Sequence, residues 1–296
     1  MLFRISKMVV TNMKQSKSFY IIVFIALFSI VAIQCNYKAQ NKDVYKILFL
    51  HHSTGDAIWK GNSKSIEIKG IHLGAEYDVP KWFTNNNKNK GTSYQISEKS
   101  FPNEEPYGWQ NYPYDYYNIW VKNAGDKAYM GEPTLEMLTK DYKVIIFKHC
   151  YPVSILNSDS VKSDINSSEK TIENYKLQYN AMKQKLLQFP DTKFILWTGA
   201  VMVQSQLTES NAQLTRFFID WVRTTWDTEN DNIFLWDFYE LETEGGLYLK
   251  PEYATSPTNS HPNKDFAQKV APYFCQRIVD VIENDGTKTM LTGIYK

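Results

Sequence analysis

The run Tyr45-Lys46-Ile47-Leu48-Phe49-Leu50 constrains the fold most, because five of its six residues are apolar or aromatic. It lacks the polar–apolar alternation of a half-exposed strand, so it must be buried on both faces, as strands of parallel sheets are. Comparable runs follow at 142–148, 193–197 and 232–237. Between them the apolar residues keep helical spacing. Ile172, Tyr175, Tyr179, Met182, Leu186 and Phe189 mark one helix face that Pro190 closes, and Leu214, Phe217, Phe218, Trp221 and Val222 mark another. Leu135, Met137 and Leu138 predict a short helix, and a last helix is expected over about 264–282, bent at Pro272. Strands alternating with amphipathic helices predict an α/β domain, a doubly wound three-layer sandwich around a parallel sheet. Tyr94 and Ile96 add a strand over 92–97, which brings the sheet to about five. The polar stretch from Ser53 to about Lys90 is expected to be a long loop, and the ring-dense segment 107–117 a surface insertion near the strand ends.

The domain is expected to start at Tyr45. Before it, Phe19 to Ile33 is a run of 15 residues without charge, preceded by Lys14 and Lys17. That length suits a signal-peptide core better than a spanning helix, which needs about 20 apolar residues. The run ends at Gln34-Cys35, and Asn36 to Val44 reads as a mostly polar tether. The pattern resembles a lipoprotein signal over 1–34, with Cys35 lipidated and residues 35–44 leading to the domain at 45–296. An exported protein follows, periplasmic or extracellular, touching a membrane only through its lipid. Gln34 departs from the small residue usual before such a cysteine.

A net charge of +1 provides no electrostatic case for nucleic acid or an acidic partner. No dinucleotide fingerprint or phosphate-binding loop occurs. Cys150 and Cys275 are the only cysteines besides Cys35, too few for a disulfide scaffold.

The chemistry concentrates at two places. His51-His52-Ser53-Thr54-Gly55 ends the first strand, and in open α/β sheets the reactive crevice lies beyond the carboxyl ends of the strands. Thr258-Asn259-Ser260-His261-Pro262-Asn263 precedes the last helix, so His261 should lie at the same edge. A serine hydroxyl is a poor nucleophile until an imidazole takes its proton, and Ser53 with His261 supplies both groups. Each has a plainer alternative, Ser53 as a turn cap and His261 as part of a helix entry. A metal site on His51, His52, His149 and His261 is a further alternative, although no pair has the helical spacing of a zinc hydrolase. Lys148 reads as a cap on the strand edge. Trp109, Tyr112, Tyr114, Tyr116, Tyr117 and Trp120 read either as a lid over the sheet or as a platform for a sugar ring.

Taken together, Phe49 to Gly55, Asn123 to Thr134, Tyr142 to Pro152 and Ser260 to Asn263 resemble the SGNH (GDSL-like) hydrolases, esterases built on a flavodoxin-like sheet. The resemblance implies an exported carboxylic ester hydrolase without a cofactor, acting on O-acyl, especially acetyl, groups of a carbohydrate or other small molecule. It implies Ser53 as nucleophile, His261 as base, and the N–H groups of Ser53 and Gly131 (Gly125 as second choice) as oxyanion donors. His52, Trp109, Tyr114 and Cys150 would contact the substrate. The chain departs from the family at three places. His51-His52 replaces Gly-Asp, Lys148-His149-Cys150 replaces Gly-x-Asn, and Thr258 stands where the triad aspartate belongs. The imidazole's orienting group would then be Thr258, Asn259 or a more distant acid such as Asp237. The competing functional class is an inactive domain of this fold that binds glycans or a partner.

Overall fold

The structure, a computed structural model, describes residues 44–296 except 69–70, 104 and 159–161, and leaves out the side chains of residues 64–73 and 75. The signal segment, Cys35 and all but the last residue of the tether lie outside the described residues.

The apolar runs form β1 (Tyr45–His51), β5 (Val144–Lys148), β6 (Lys193–Trp197) and β7 (Ile233–Trp236), joined by β4 (Tyr94–Ser100). All neighbours pair in parallel, in the order β4-β1-β5-β6-β7. Numbered by appearance within the sheet this is 2-1-3-4-5, the flavodoxin-like order that the resemblance implies. Both faces of β1, β5, β6 and β7 are buried, and for that reason these strands carry no alternation, whereas the edge strand β4 is partly exposed throughout. Leu48, Leu50, Ile145, Phe147, Phe194 and Leu196 enter one core, and Ile47, Phe49, Val144, Ile146, Ile195 and Trp197 the other.

The second core is closed by α1 (Ser53–Lys60), α2 (Asp78–Lys90) and α8 (Lys264–Asn284), which carries Pro272 within it. The first is closed by α3 (Pro113–Tyr117), α4 (Leu135–Asp141), α5 (Ile172–Leu186) and α6 (Glu209–Trp221). The short α7 (Phe238–Thr243) follows β7, and the ribbon β8 (Ala254–Ser256) and β9 (Asn259–Pro262) leads into α8.

Two expectations are corrected. The polar stretch 53–90 is no loop: it holds α1, the hairpin β2 (Lys64–Ile68) with β3 (Ile71–Glu76), and α2. Helix α2 shows little periodicity because only Val79 and Phe83 are buried, and the side chain of Asn87 ties it to the backbone of Tyr94 at 2.7 and 3.0 Å. Segment 107–117 lies at the surface only in its first part, with Tyr107, Gly108 and Gln110 exposed. Tyr112, Tyr116 and Tyr117 are buried, as is Trp120 just beyond, and Asp115 holds the N–H groups of Gln110 and Asn111 at 2.7 Å each. Trp109 and Tyr114 are partly buried against the same core.

Candidate active site

In a 2-1-3-4-5 sheet the chain reverses direction between its first and third strands, here β1 and β5, and the crevice opens beyond their carboxyl ends. The Ser53 turn borders it on one side and Lys148 to Tyr151 on the other. Ser53 is exposed at the first turn of α1, while Thr54 behind it is buried. The turn is held by the His52 carbonyl, which accepts from the N–H groups of Gly55 at 2.7 Å and Asp56 at 3.1 Å. Below it His51 is fixed by Glu98 of β4 at 2.8 Å. Gly55 permits this stacking, because a Cβ there would lie 2.5 Å from the Cβ of His51. His52 bonds through Nε2 to the carbonyl of Pro102.

His261 reaches the same edge on β9, and β9 packs against α1. Pro257 and Thr258 make the turn between the two ribbon strands. The ribbon is pinned to the segment after β6. Ser260 Oγ accepts from the Val203 N–H at 3.0 Å, and the Gln206 amide donates to the Thr258 carbonyl at 2.8 Å. Beyond it Asn263 caps α8, its Oδ1 accepting from the Phe266 N–H at 2.9 Å. The helix-entry role is therefore real, and it fixes the strand that carries the imidazole.

Of the three candidates for orienting His261, Asn259 is the one in contact. Its Oδ1 lies 2.7 Å from Nδ1 of His261 and also accepts the His261 backbone N–H at 3.1 Å. A backbone N–H can only donate, so it settles the amide's orientation: the oxygen faces the ring. Nδ1 must then carry the proton, and Nε2 is left as the basic nitrogen. Thr258 is occupied elsewhere through its backbone. Asp237 caps α7 and pairs with Arg223 at 2.6 Å and with Thr198 at 2.7 Å, so it does not serve His261.

Tyr151 joins the two halves of the site. Its ring meets that of His261 edge-on at 5.4 Å, and its hydroxyl lies beside Thr54, without the alignment of a hydrogen bond. The Ser53 hydroxyl makes no hydrogen bond among the described residues, with His261 or otherwise. Nucleophile–base contacts in ligand-free enzymes are often long and tighten only with substrate. Partial burial, and then the charge of Lys148, lowers the pKa of His261 below its ordinary value.

Lys148 departs most from the sequence reading. It is no edge cap: it is wholly buried, with Nζ 3.3 Å from Sγ of Cys150 and 5.9 Å from the ring of Trp197. A lysine closing an otherwise apolar strand was the signal available in the sequence. Cys150 is a buried free thiol whose N–H bonds to the Asn111 carbonyl at 2.8 Å. His149 is buried on the opposite face against Tyr116 and Tyr179, and burial, then Lys148, drives its pKa down to about 3. Burial likewise pushes the carboxyl of Glu242, which accepts the Val201 N–H at 3.0 Å, well above the ordinary value. Gly131 lines a separate cleft with Lys99, Asn103, Tyr107 and Glu132, and neither Ser53 nor His261 is part of its wall. Among the described residues no group of three or more His, Cys, Asp or Glu side chains is arranged to hold a metal ion. The strand-end histidines face different partners.

No protein-family model matches the chain, and no curated protein does. Among solved structures it is similar to a family two carbohydrate esterase from Clostridium thermocellum, at 12% identity and a TM-score of 0.38 over 82% of this chain and 64% of that one. It is similar to an acetyl xylan esterase from the rumen bacterium Butyrivibrio proteoclasticus, at 14% identity and a TM-score of 0.37 over 84% and 66%. A family two carbohydrate esterase from Cellvibrio japonicus follows at 11% identity and a TM-score of 0.40, over 81% and 62%. The chain thus spans less than two thirds of the length of these proteins. What it does turns on its own residues.

Proposed function

We propose that this chain is an SGNH-type ester hydrolase in which Ser53 attacks an acyl ester and His261 accepts its proton. The observation that carries the reading is the double hold of Asn259 on His261, which leaves Nε2 as the unprotonated nitrogen of the neutral ring. As Oγ of Ser53 bonds to the carbonyl carbon, its proton passes to Nε2 and the carbonyl oxygen becomes an oxyanion. The N–H of Ser53 is its assigned donor; Gly131, which the resemblance implies as a second, lines a cleft that includes neither Ser53 nor His261 and is not assigned. Collapse breaks the ester C–O bond, and the imidazolium returns the proton to the departing alcohol. Water activated by the same nitrogen then clears the acyl-enzyme. Serine and imidazole complete this cycle without a cofactor. The substrate class is an acylated carbohydrate, with the partly buried Trp109 as the aromatic candidate for a sugar ring. The protein would act outside the cytoplasm, tethered through Cys35.

The test compares wild type with Ser53→Ala on acetylated sugars and p-nitrophenyl acetate, before and after exhaustive chelation. Wild-type hydrolysis should survive chelation, and Ser53→Ala should fall to the uncatalysed rate. Equal rates for the two proteins would contradict the reading. Glycan binding lost in Trp109→Ala would then favour a binding domain.

A further inference from the structure

The mechanism above leaves one charged group of the crevice unused. The ammonium of Lys148 is fully buried at the carboxyl end of β5, beside the reversal point between β1 and β5. An ammonium has three donors. Among the described residues it makes one hydrogen bond, to the thiol of Cys150, a weak acceptor, and no ion pair. The carboxyl of Glu242, which senses its charge, is itself held toward its neutral form by burial and bonds instead to the Val201 N–H. Nature rarely buries a cation without a counter-anion, because the charge loses its hydration and gains little in return. The strand end therefore holds a positive charge with unspent donors, next to Cys150 and Tyr151 and close enough to His261 to bias its protonation. That charge lies at the carboxyl end of β5, the strand next to β1, which ends in the Ser53 turn.

We infer that Lys148 is the electrostatic partner of the oxyanion: its buried ammonium stabilises the charge that develops on the ester carbonyl oxygen as Ser53 attacks. The inference rests on the serine-hydrolase reading and deepens it, since a fixed cation in a site shielded from water acts far more strongly than one in solvent. It also accounts for a chain that lacks an asparagine at this strand end. The ester itself is neutral, so the lysine contributes little until the tetrahedral intermediate forms. Its effect should therefore fall on kcat and leave KM nearly unchanged.

The test uses Lys148→Met, which keeps length and removes charge, and Lys148→Gln, which keeps a donor and removes charge. Steady-state kinetics on p-nitrophenyl acetate are read alongside thermal melting and a pH profile. Loss of one preorganised oxyanion donor typically costs about 10²–10³ in kcat, and a loss in that range is expected for Lys148→Met, with a smaller one for Lys148→Gln. KM should hold and the melting temperature should stay level or rise, because removing an unpaired buried charge relieves the fold. The acid limb of kcat/KM should move to higher pH in both variants, since one of the two influences lowering His261 is gone. Wild-type kcat with an unmoved limb in both variants would overturn the inference, as would a collapse of melting temperature in both, which would make the lysine a structural cation. If Ser53→Ala is inactive while Lys148→Met equals wild type, the serine reading stands and only the role of Lys148 fails.

Discussion

At the scale of single residues, the site depends on an amide placed where a carboxylate would ordinarily stand. The Oδ1 of Asn259 selects the same imidazole tautomer as an aspartate, but it brings no negative charge to steady the imidazolium that the proposed turnover would form. In the serine protease that serves as the reference case, replacing the aspartate by asparagine costs about 10⁴ in kcat, partly through the wrong tautomer. Here the backbone N–H of His261 guards against that part of the loss. Asn259→Asp is therefore expected to raise kcat by about tenfold or more, and Asn259→Leu to lower it by about 10–10². Thr258→Asp should do neither, because Thr258 does not touch the ring. Steady-state kinetics with p-nitrophenyl acetate check all three. The pH dependence has a definite sign. His261 acts as a base only when neutral, and burial together with Lys148 favours the neutral form. The acid limb of kcat/KM should thus lie below the ordinary histidine value of about 6.5. A limb at or above that value would contradict the burial argument.

At the scale of elements, much of the chain is legible in sequence because two-sided burial leaves a plain mark. The strands at 144–148, 193–197 and 233–236 and the one-sided helix over 172–186 fall where their apolar spacing places them. The losses have physical causes. Helix α2 is an asparagine- and lysine-rich segment whose stability comes from packing against α8 and from side-chain bonds to β4, neither visible in local pattern. Segment 107–117 carries turn residues and many rings, yet the carboxylate of Asp115 organises it into the core. The same division runs through the site. The positions of Ser53 after β1 and of His261 ahead of α8 are legible in sequence, while their catalytic roles are proposals. The choice of Asn259 over Thr258 and Asp237 depends on a hairpin turn and on a pairing with Arg223 that only the folded chain reveals. One element-level consequence is checkable. Gly55→Ala would press a methyl against the side chain of His51 and lift α1 away from β1. Overpacking of this kind costs about 1–3 kcal/mol, to be read from urea unfolding, and kcat should fall with it because Ser53 rides on the same turn. Unchanged stability would show that α1 is not seated on His51.

At the scale of the whole molecule, the parallel sheet gathers groups distant in sequence at one edge: Ser53 after β1, Lys148 to Tyr151 after β5, and His261 ahead of α8. Among the described residues no helix is long and apolar enough to cross a membrane. The proposed attachment is a lipid on Cys35. Each buried CH₂ of an acyl chain contributes about 0.8 kcal/mol, and several chains hold firmly. Cys35→Ser should therefore move the protein from the membrane fraction to the soluble one in a bacterium that processes lipoproteins. Equal partition of both proteins would rule the anchor out. The most direct test of the central claim is covalent. A fluorophosphonate reacts with a serine only when a neighbouring base has activated it, and intact-protein and peptide mass spectrometry locate the adduct. One adduct on Ser53 in wild type, absent from Ser53→Ala and strongly slowed in His261→Ala, is the expected result. No adduct on wild type, or one on Ser53 at the same rate without His261, would contradict the account.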